Sequence, residues 1–189
     1  MPFLIESIVT TVDAAGTLNV APMGVGWEDS DELILQPWRN TTTYRNLAAT
    51  GEAVVNLTDD VRIFAAAAIS NPVFPTRPAA IVAGLVLEAA CSWREVRVEE
   101  AGGTPERARF RARVVHHGFA REFLGFNRAR NAVLEAAILS TRTSLLPPAE
   151  IRAGFQRLQI VVDKTAGAAE REAMDLLAAH VRGALGDGV

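Results

Sequence analysis

Cysteine is nearly absent from this sequence. Cys91 is the only one in 189 residues, so no intrachain disulfide can form, and a reducing, cytoplasmic setting is expected. A membrane-length apolar run is also missing: the most apolar stretch, "AAIVAGLVLEAAC" (79–91), is interrupted by Glu88 and is too short to span a bilayer. The opening "MPFLIESIV" has neither a basic n-region nor a long apolar core, so no signal peptide is expected. Nor is there a basic surplus. Nineteen Lys and Arg against 22 Asp and Glu give a formal charge of −3, which argues against a general phosphate-backbone binder while leaving room for a local basic pocket. There is no internal repeat, no low-complexity tract, no G-x-S-x-G elbow and no G-x-G-x-x-G fingerprint. Cys91, His116, His117 and His180 show no metal-ligand spacing, and adjacent histidines on a strand point to opposite faces, so no metal site is expected. What remains, 49% hydrophobic and 22% charged residues, is a globular composition with enough chain for a sizeable core.

The first half carries strand patterns. "FLIESIVTTVD" (3–13) and "TLNVAPMGVGWED" (17–29) read as a hairpin-like pair joined by "AAG". The second of these holds a proline and two glycines where a strand should be continuous, which marks either a bulge or a close approach of something to the backbone. "DELILQPW" (31–38) is a third strand. "TTTYRNLAATG" (41–51) reads as a short helix, capped by Asn40 or Thr41 and closed by Gly51 at C′. "EAVVNLTD" (52–59) returns to strand, "VRIFAAAAIS" suits a helix and "NPVFPTRPA" a loop. "LVLEAACSWREVRVEEAGG" and "RARFRARVVHHGFARE" read as two long strands around a turn at Gly102, Gly103 and Pro105.

From about residue 126 the period changes to 3.6. "FNRARNAVLEAAILSTRTSLL" (126–146) places Ala129, Val133, Ala136, Ala137 and Leu139 on one face; Pro147 and Pro148 start another helix, and residues 168–185 make a last one. Strands first and helices after predict an α+β fold: an antiparallel barrel over 1–122, followed by an α-helical segment over 123–189 packed on the barrel or on a dimer interface.

Two motifs together carry a resemblance. N-V-A-P-M-G (19–24), followed by R-N-T-T-T-Y-R-N-L and T-G-E-A-V-V-N-L (39–57), resembles the flavin-reductase-like FMN-binding split barrel; Ala53 stands where that superfamily usually has Phe. "ESIVTT", "NRARNAVLEAAILSTRTSLL" and "VDKTAGAAEREAMDLL" resemble the family known as domain of unknown function 447, across nearly the whole chain. The resemblance implies a split barrel plus helices, FMN as ligand, a homodimer with flavin near the interface, and a setting among microbes of one-carbon metabolism. It implies a flavin-reductase-like oxidoreductase, with a non-catalytic flavin carrier or assembly factor, or a deazaflavin-binding barrel, as the alternatives.

FMN needs donors and a cation for its phosphate, and a flat slot with backbone groups at the ring edge. Arg39, Thr41, Thr42 and Thr43 at a helix start are the candidates for the first. Asn19, Ala21, Pro22, Met23 and Gly24 are the candidates for the second: Pro22 removes a ladder donor, and Gly24 permits close approach. Trp27, Trp38 and Trp93 are core or pocket wall, with stacking on a flavin as the alternative. The alternation in "RARFRARVVHH" suits a strand with one wet face, and Arg128, Arg130 and Arg142 suit a solvated helix face or interface pairs. No acid–base catalytic side chain stands out.

Overall fold

The computed structural model describes residues 3–186. The elements are β1 (Phe3–Val12), β2 (Leu18–Trp27), β3 (Glu32–Leu35), α1 (Thr42–Thr50), β4 (Glu52–Leu57), α2 (Val61–Ile69), β5 (Thr76–Pro78), β6 (Leu85–Leu87), β7 (Ser92–Gly103), β8 (Ala108–Phe119), α3 (Arg128–Ser140), α4 (Pro148–Thr165) and α5 (Ala168–Leu185). The fold is α+β, with an antiparallel barrel and a C-terminal helical segment. The chain divides into two compact units, residues up to Thr58 with Val73–Phe123, and Asp59–Pro72 with the residues from Leu124 onward. The helical unit therefore draws on α2 from mid-chain as well as on the expected segment from 123; positions 1–2 and 187–189 lie outside the described residues.

In the first unit six strands close in the order β1-β2-β3-β8-β7-β4. Alternate residues face inward, as the period of two requires: Val9, Val25, Leu33, Leu35, Val55 and Val96 are among the buried residues of one core cluster. Ala53, the departure from the superfamily's Phe, is buried in the same cluster. The β1–β2 ladder runs unbroken from Phe3↔Trp27 to Val12↔Leu18, so the strand carrying Pro22 and Gly24 is not bulged. Register shifts occur instead between β7 and β8. The long strand expected over 85–103 is two elements. β6 pairs with β5 in a small separate sheet, and β7 begins at Ser92 after Cys91 N–H has bonded Leu57 O at 2.8 Å.

Buried polar side chains fasten that small sheet. Asn56 donates from Nδ2 to Ile8 O and Thr10 Oγ1 and accepts Leu87 N–H at 2.9 Å; the asparagine of the V-N-L motif is a structural tie. Glu95, fully buried, accepts the N–H groups of Ala80, Ile81 and Val82 and the indole N–H of Trp93. Trp93 lies flat over Gly118, where any Cβ would sit inside the indole, and the Arg77 guanidinium covers the ring at 4.3 Å. On the wet face of β8, Arg109, Arg111 and Arg113 pair with Glu28, Glu32, Glu99 and Glu100. That neutralises the basic alternation noted in the sequence.

The helical unit has its own core. Ala129, Val133, Ala136 and Ala137 of α3 pack with Ile151 and Phe155 of α4 and Met174, Leu177 and Val181 of α5. Arg130 is a paired residue, not a solvated one: Nε donates to Glu170 Oε1 at 3.0 Å and a terminal nitrogen to Asp59 Oδ2 at 3.2 Å. Removing one member of such a partly buried set strands the others, which is costlier than losing a surface pair.

Burial pushes the Glu95 carboxyl up, but the three backbone N–H groups and the indole N–H outweigh it and hold its pKa below the ordinary carboxylate range. A depressed folded pKa contributes stability above the unfolded pKa, and that contribution is lost as pH falls through the folded one. Glu95→Gln should therefore cost roughly 2–3 kcal/mol at neutral pH. It should also flatten the fall in melting temperature below pH 4.5, where wild type loses the contribution of the charge; a Glu95→Gln melting temperature equal to wild type at pH 7, or an acid limb as steep as wild type's below pH 4.5, would show that the charge contributes nothing.

Candidate functional site

The barrel closes between β2 and β3 through a short seam. Between β2 and β3 the ladder holds Gly26↔Ile34 and Trp27↔Leu33 and then stops. From Leu18 to Val25, β2 is paired with β1 on one side and has no strand on the other among the described residues. Alternate backbone N–H and C=O groups of a strand point to each edge, so this edge presents unpaired groups. Ala21, Pro22, Met23 and Gly24 are all half-buried, without the in–out alternation of a strand covered on one face. Pro22 sits where a missing N–H costs no second ladder bond. Gly24 has an ordinary φ, and a Cβ there would meet only the Glu6 carboxylate at 3.4 Å. Nothing inside the chain demands a glycine at that position.

Helix α1 stands beside this edge. Asn19 donates from Nδ2 to Thr43 Oγ1 at 3.0 Å and to Thr11 Oγ1 at 3.3 Å, and Asn46 Nδ2 donates to the same Thr11 hydroxyl at 3.1 Å. The three threonines go three ways. Thr41 is the N-cap, its Oγ1 accepting Tyr44 N–H at 3.3 Å and donating to Trp38 O at 2.7 Å. Thr42 is exposed, and its Oγ1 accepts from Arg45 at 2.8 Å. Thr43 is buried in the tie to β2. At the helix's other end Gly51 takes the left-handed conformation, φ 67°, that closes α1 as the sequence suggests.

Arg39 is directed away from the helix start. Its Nε donates to Thr104 O at 2.8 Å, one terminal nitrogen to Gly102 O at 3.2 Å and the other to Tyr44 Oη at 2.9 Å. It fastens α1 to the β7–β8 turn. The cation at the helix start is Arg45, which sequence reasoning passed over: its terminal nitrogens reach Asn40 O at 3.3 Å and Thr42 Oγ1. The i, i+3 spacing from Thr42 is the signal that could have found it. The N–H groups of Thr42 and Thr43 have no partner among the described residues. Two amides without a partner at the positive end of a helix, a hydroxyl and a guanidinium are donors of the kind that suit an anion.

The tryptophans divide likewise. Trp93 is 6% exposed and fully engaged; Trp27 is half-buried against the barrel core; Trp38 is 55% exposed, with Arg107 over its ring at 5.3 Å. His116 faces the Trp93 ring while His117 bonds Asp31, so the two histidines do point apart.

Comparison with known proteins brings the site and the fold together. The pattern for the N-terminal domain of a protein of unknown function, DUF447, matches residues 5–121, and the pattern for its C-terminal part matches residues 127–179. Among solved structures, an FMN-bound DUF447 protein from Methanosarcina mazei is similar at TM-score 0.83 and 22% identity, covering 95% of this chain and 96% of that one. Component B of nitrilotriacetate monooxygenase from Bacillus cereus matches at TM-score 0.54 and 22% identity, over 71% of this chain and 78% of that one. The styrene monooxygenase flavin reductase from Pseudomonas putida S12 matches at 0.52 and 17%, over 62% and 79%. These likenesses establish the split-barrel fold.

If Arg39 is a fastening and not a ligand group, Arg39→Ala should lower stability by about 1–2 kcal/mol, since its three acceptors lie near the surface and water replaces part of each bond. Calorimetric melting would show it; a wild-type melting temperature with loss of ligand affinity would return Arg39 to the ligand site.

Proposed function

This chain belongs to the DUF447 family, and from that premise we propose that it is an FMN-binding flavoprotein and a flavin-reductase-like oxidoreductase, acting as a cytoplasmic homodimer. The observation that carries the reading is the coincidence of two vacant backbone sets side by side: the open edge of β2 at Asn19–Gly24 and the unpaired amides of Thr42 and Thr43. They suit the two ends of FMN. A flat ring can lie along the β2 edge beside Gly24, whose missing side chain has no internal reason. A phosphate can sit at the α1 start, with Thr42 Oγ1 and Arg45 as further donors. Thr43 and Asn19 hold the two halves in register.

Bound FMN supplies the redox chemistry, and the chain's own groups bind, orient and exclude water. The enzymatic reading is supported by the fold shared with the flavin reductase named above and by FMN in the Methanosarcina mazei relative. A place beside one-carbon metabolism belongs to the same proposal and rests on the family resemblance. The homodimer is supported by the geometry of the edge: one barrel walls a ligand at β2 on one side, and a two-fold copy supplies the other. Light scattering should give about twice the 20.3 kDa of the chain, and a monomer mass with flavin bound would remove the dimer from the proposal.

The decisive experiment is the visible spectrum of the purified protein, followed by fluorescence-quench titration with FMN and riboflavin. Arg45→Ala should weaken FMN by roughly 10- to 150-fold, the equivalent of a charge-assisted contact of about 1.5–3 kcal/mol, and leave riboflavin unchanged. Equal loss for both flavins would place Arg45 at the ring, and no loss for either would leave the helix start as an ordinary cap. Bleaching of the flavin by NADH or NADPH would then separate a reductase from a carrier.

A further inference from the structure

On the inner face of the barrel one charged side chain has no adequate partner. Arg94 of β7 lies opposite Val55 of β4 and His117 of β8, and cross-strand partners share a face, so all three face inward with the barrel core. The strand ends here, Leu57, Ser92 and Phe119, lie at the opposite end of the barrel from Gly51, where α1 closes. Arg94 donates from one terminal nitrogen to the carbonyl of its own neighbour, Trp93, at 3.0 Å. Its Nε is buried and finds no acceptor among the described residues. Burial pushes the guanidinium's pKa down, and the nearby Asp31 offsets this only in part. Asp31 is itself engaged: its Oδ1 lies 2.9 Å from His117 Nε2, with both side chains about half exposed. His117 thus engages the carboxylate that partly offsets the charge of Arg94. The contrast within the same sheet is sharp, since Arg97, Arg109, Arg111 and Arg113 all pair with glutamates. Two residues beyond His117, Phe119 ends β8 on the same face with its ring 70% exposed.

We propose that Arg94, with His117 holding Asp31 aside and Phe119 at the rim, is a binding site for a small organic carboxylate carried on an apolar or aromatic body. A guanidinium presents a planar two-pronged donor that matches a carboxylate, and a desolvated cation short of counter-charge gains most from one. Phe119 supplies the apolar contact for the body of the molecule. The site does not use the β2 edge or the α1 start, so it stands independently of flavin binding.

The test uses the full-length protein, as purified, with benzoate as the probe and sodium chloride at matched ionic strength as the control. The Nε–Hε correlation of Arg94, identified by its absence in Arg94→Lys, is expected to shift and saturate with benzoate in the nitrogen–proton spectrum. Titration calorimetry should show Arg94→Lys weakening benzoate at least tenfold. Asp31→Asn, a change at an exposed side chain, should tighten it about three- to tenfold by removing the competing negative charge. His117→Ala should weaken it, because Asp31 is then free to close on Arg94. Formate, which has the carboxylate and no ring, should bind more weakly than benzoate, and Phe119→Ser should erase that difference. An unshifted Arg94 signal up to tens of millimolar benzoate overturns the site. So does unchanged or weakened binding in Asp31→Asn, and equal affinity for formate and benzoate overturns the assigned ligand class.

Discussion

The incomplete pairing of β2 is the constraint from which the rest of the first unit follows. A barrel that closes through Gly26 and Trp27 alone on one side of β2 leaves eight residues of backbone with a single strand neighbour. Such an edge is a hazard unless it is covered, twisted away or given a ligand. Here its residues carry no charge, and apart from Val20 and Val25 they are only half-buried. They include a proline that cannot extend a sheet and a glycine that leaves the main chain bare. Pro22 has no N–H to offer a further strand, and Gly24 leaves the main chain uncovered.

Helix α1 depends on that edge as well. Its nine residues would be marginal alone, and what fixes it is a set of polar ties: Thr43 to Asn19, Asn46 to Thr11, and Arg39 through Tyr44 to the β7–β8 turn. Tyr44 and Leu47 add apolar contacts to the barrel core. Because the ties act from the buried side, the first-turn amides of Thr42 and Thr43 stay unclaimed, and Arg45 on the outer side has only the helix start to fold onto.

Local chemistry was legible in the sequence; long-range destinations were not. The α1 cap at Thr41 and stop at Gly51, the strand alternation and the alanine face of α3 are each set by neighbours within a turn or two, and the structure has them where the pattern puts them. The motif residues Asn19 and Thr43 are also found together. Arg39 stands next to the threonines in the sequence, and its bonds go to Tyr44 and, more than sixty residues away, to Gly102 and Thr104. No spacing rule encodes that. The break between β6 and β7 was hidden for the same reason: the apolar run through residues 85–91 is continuous, and what interrupts the strand is pairing with β5 and the bond from Cys91 N–H to Leu57 O. The unbroken β1–β2 ladder shows the reverse case, where Pro22 and Gly24 signalled irregularity and tertiary context removed the need for it.

Polar groups in this chain sort by whether folding consumes them. Asn56 and Glu95 are buried and engaged, Asn56 donating to Ile8 O and Thr10 Oγ1 and accepting Leu87 N–H, Glu95 accepting three backbone N–H groups and the Trp93 indole, and such residues stabilise the structure rather than bind. Arg130 is consumed by Asp59 and Glu170 in the helical unit. At the α1 start and at Arg94 the accounting stays open: amides without acceptors in one place, a buried Nε without one in the other. An unmet donor shielded from water costs about 1–3 kcal/mol, so a fold that keeps several of them near half-exposed backbone retains binding capacity at the expense of stability. Among the described residues these open donors lie at two separate places, one beside the β2 edge and one toward the far end of the strands, so neither set of donors competes with the other.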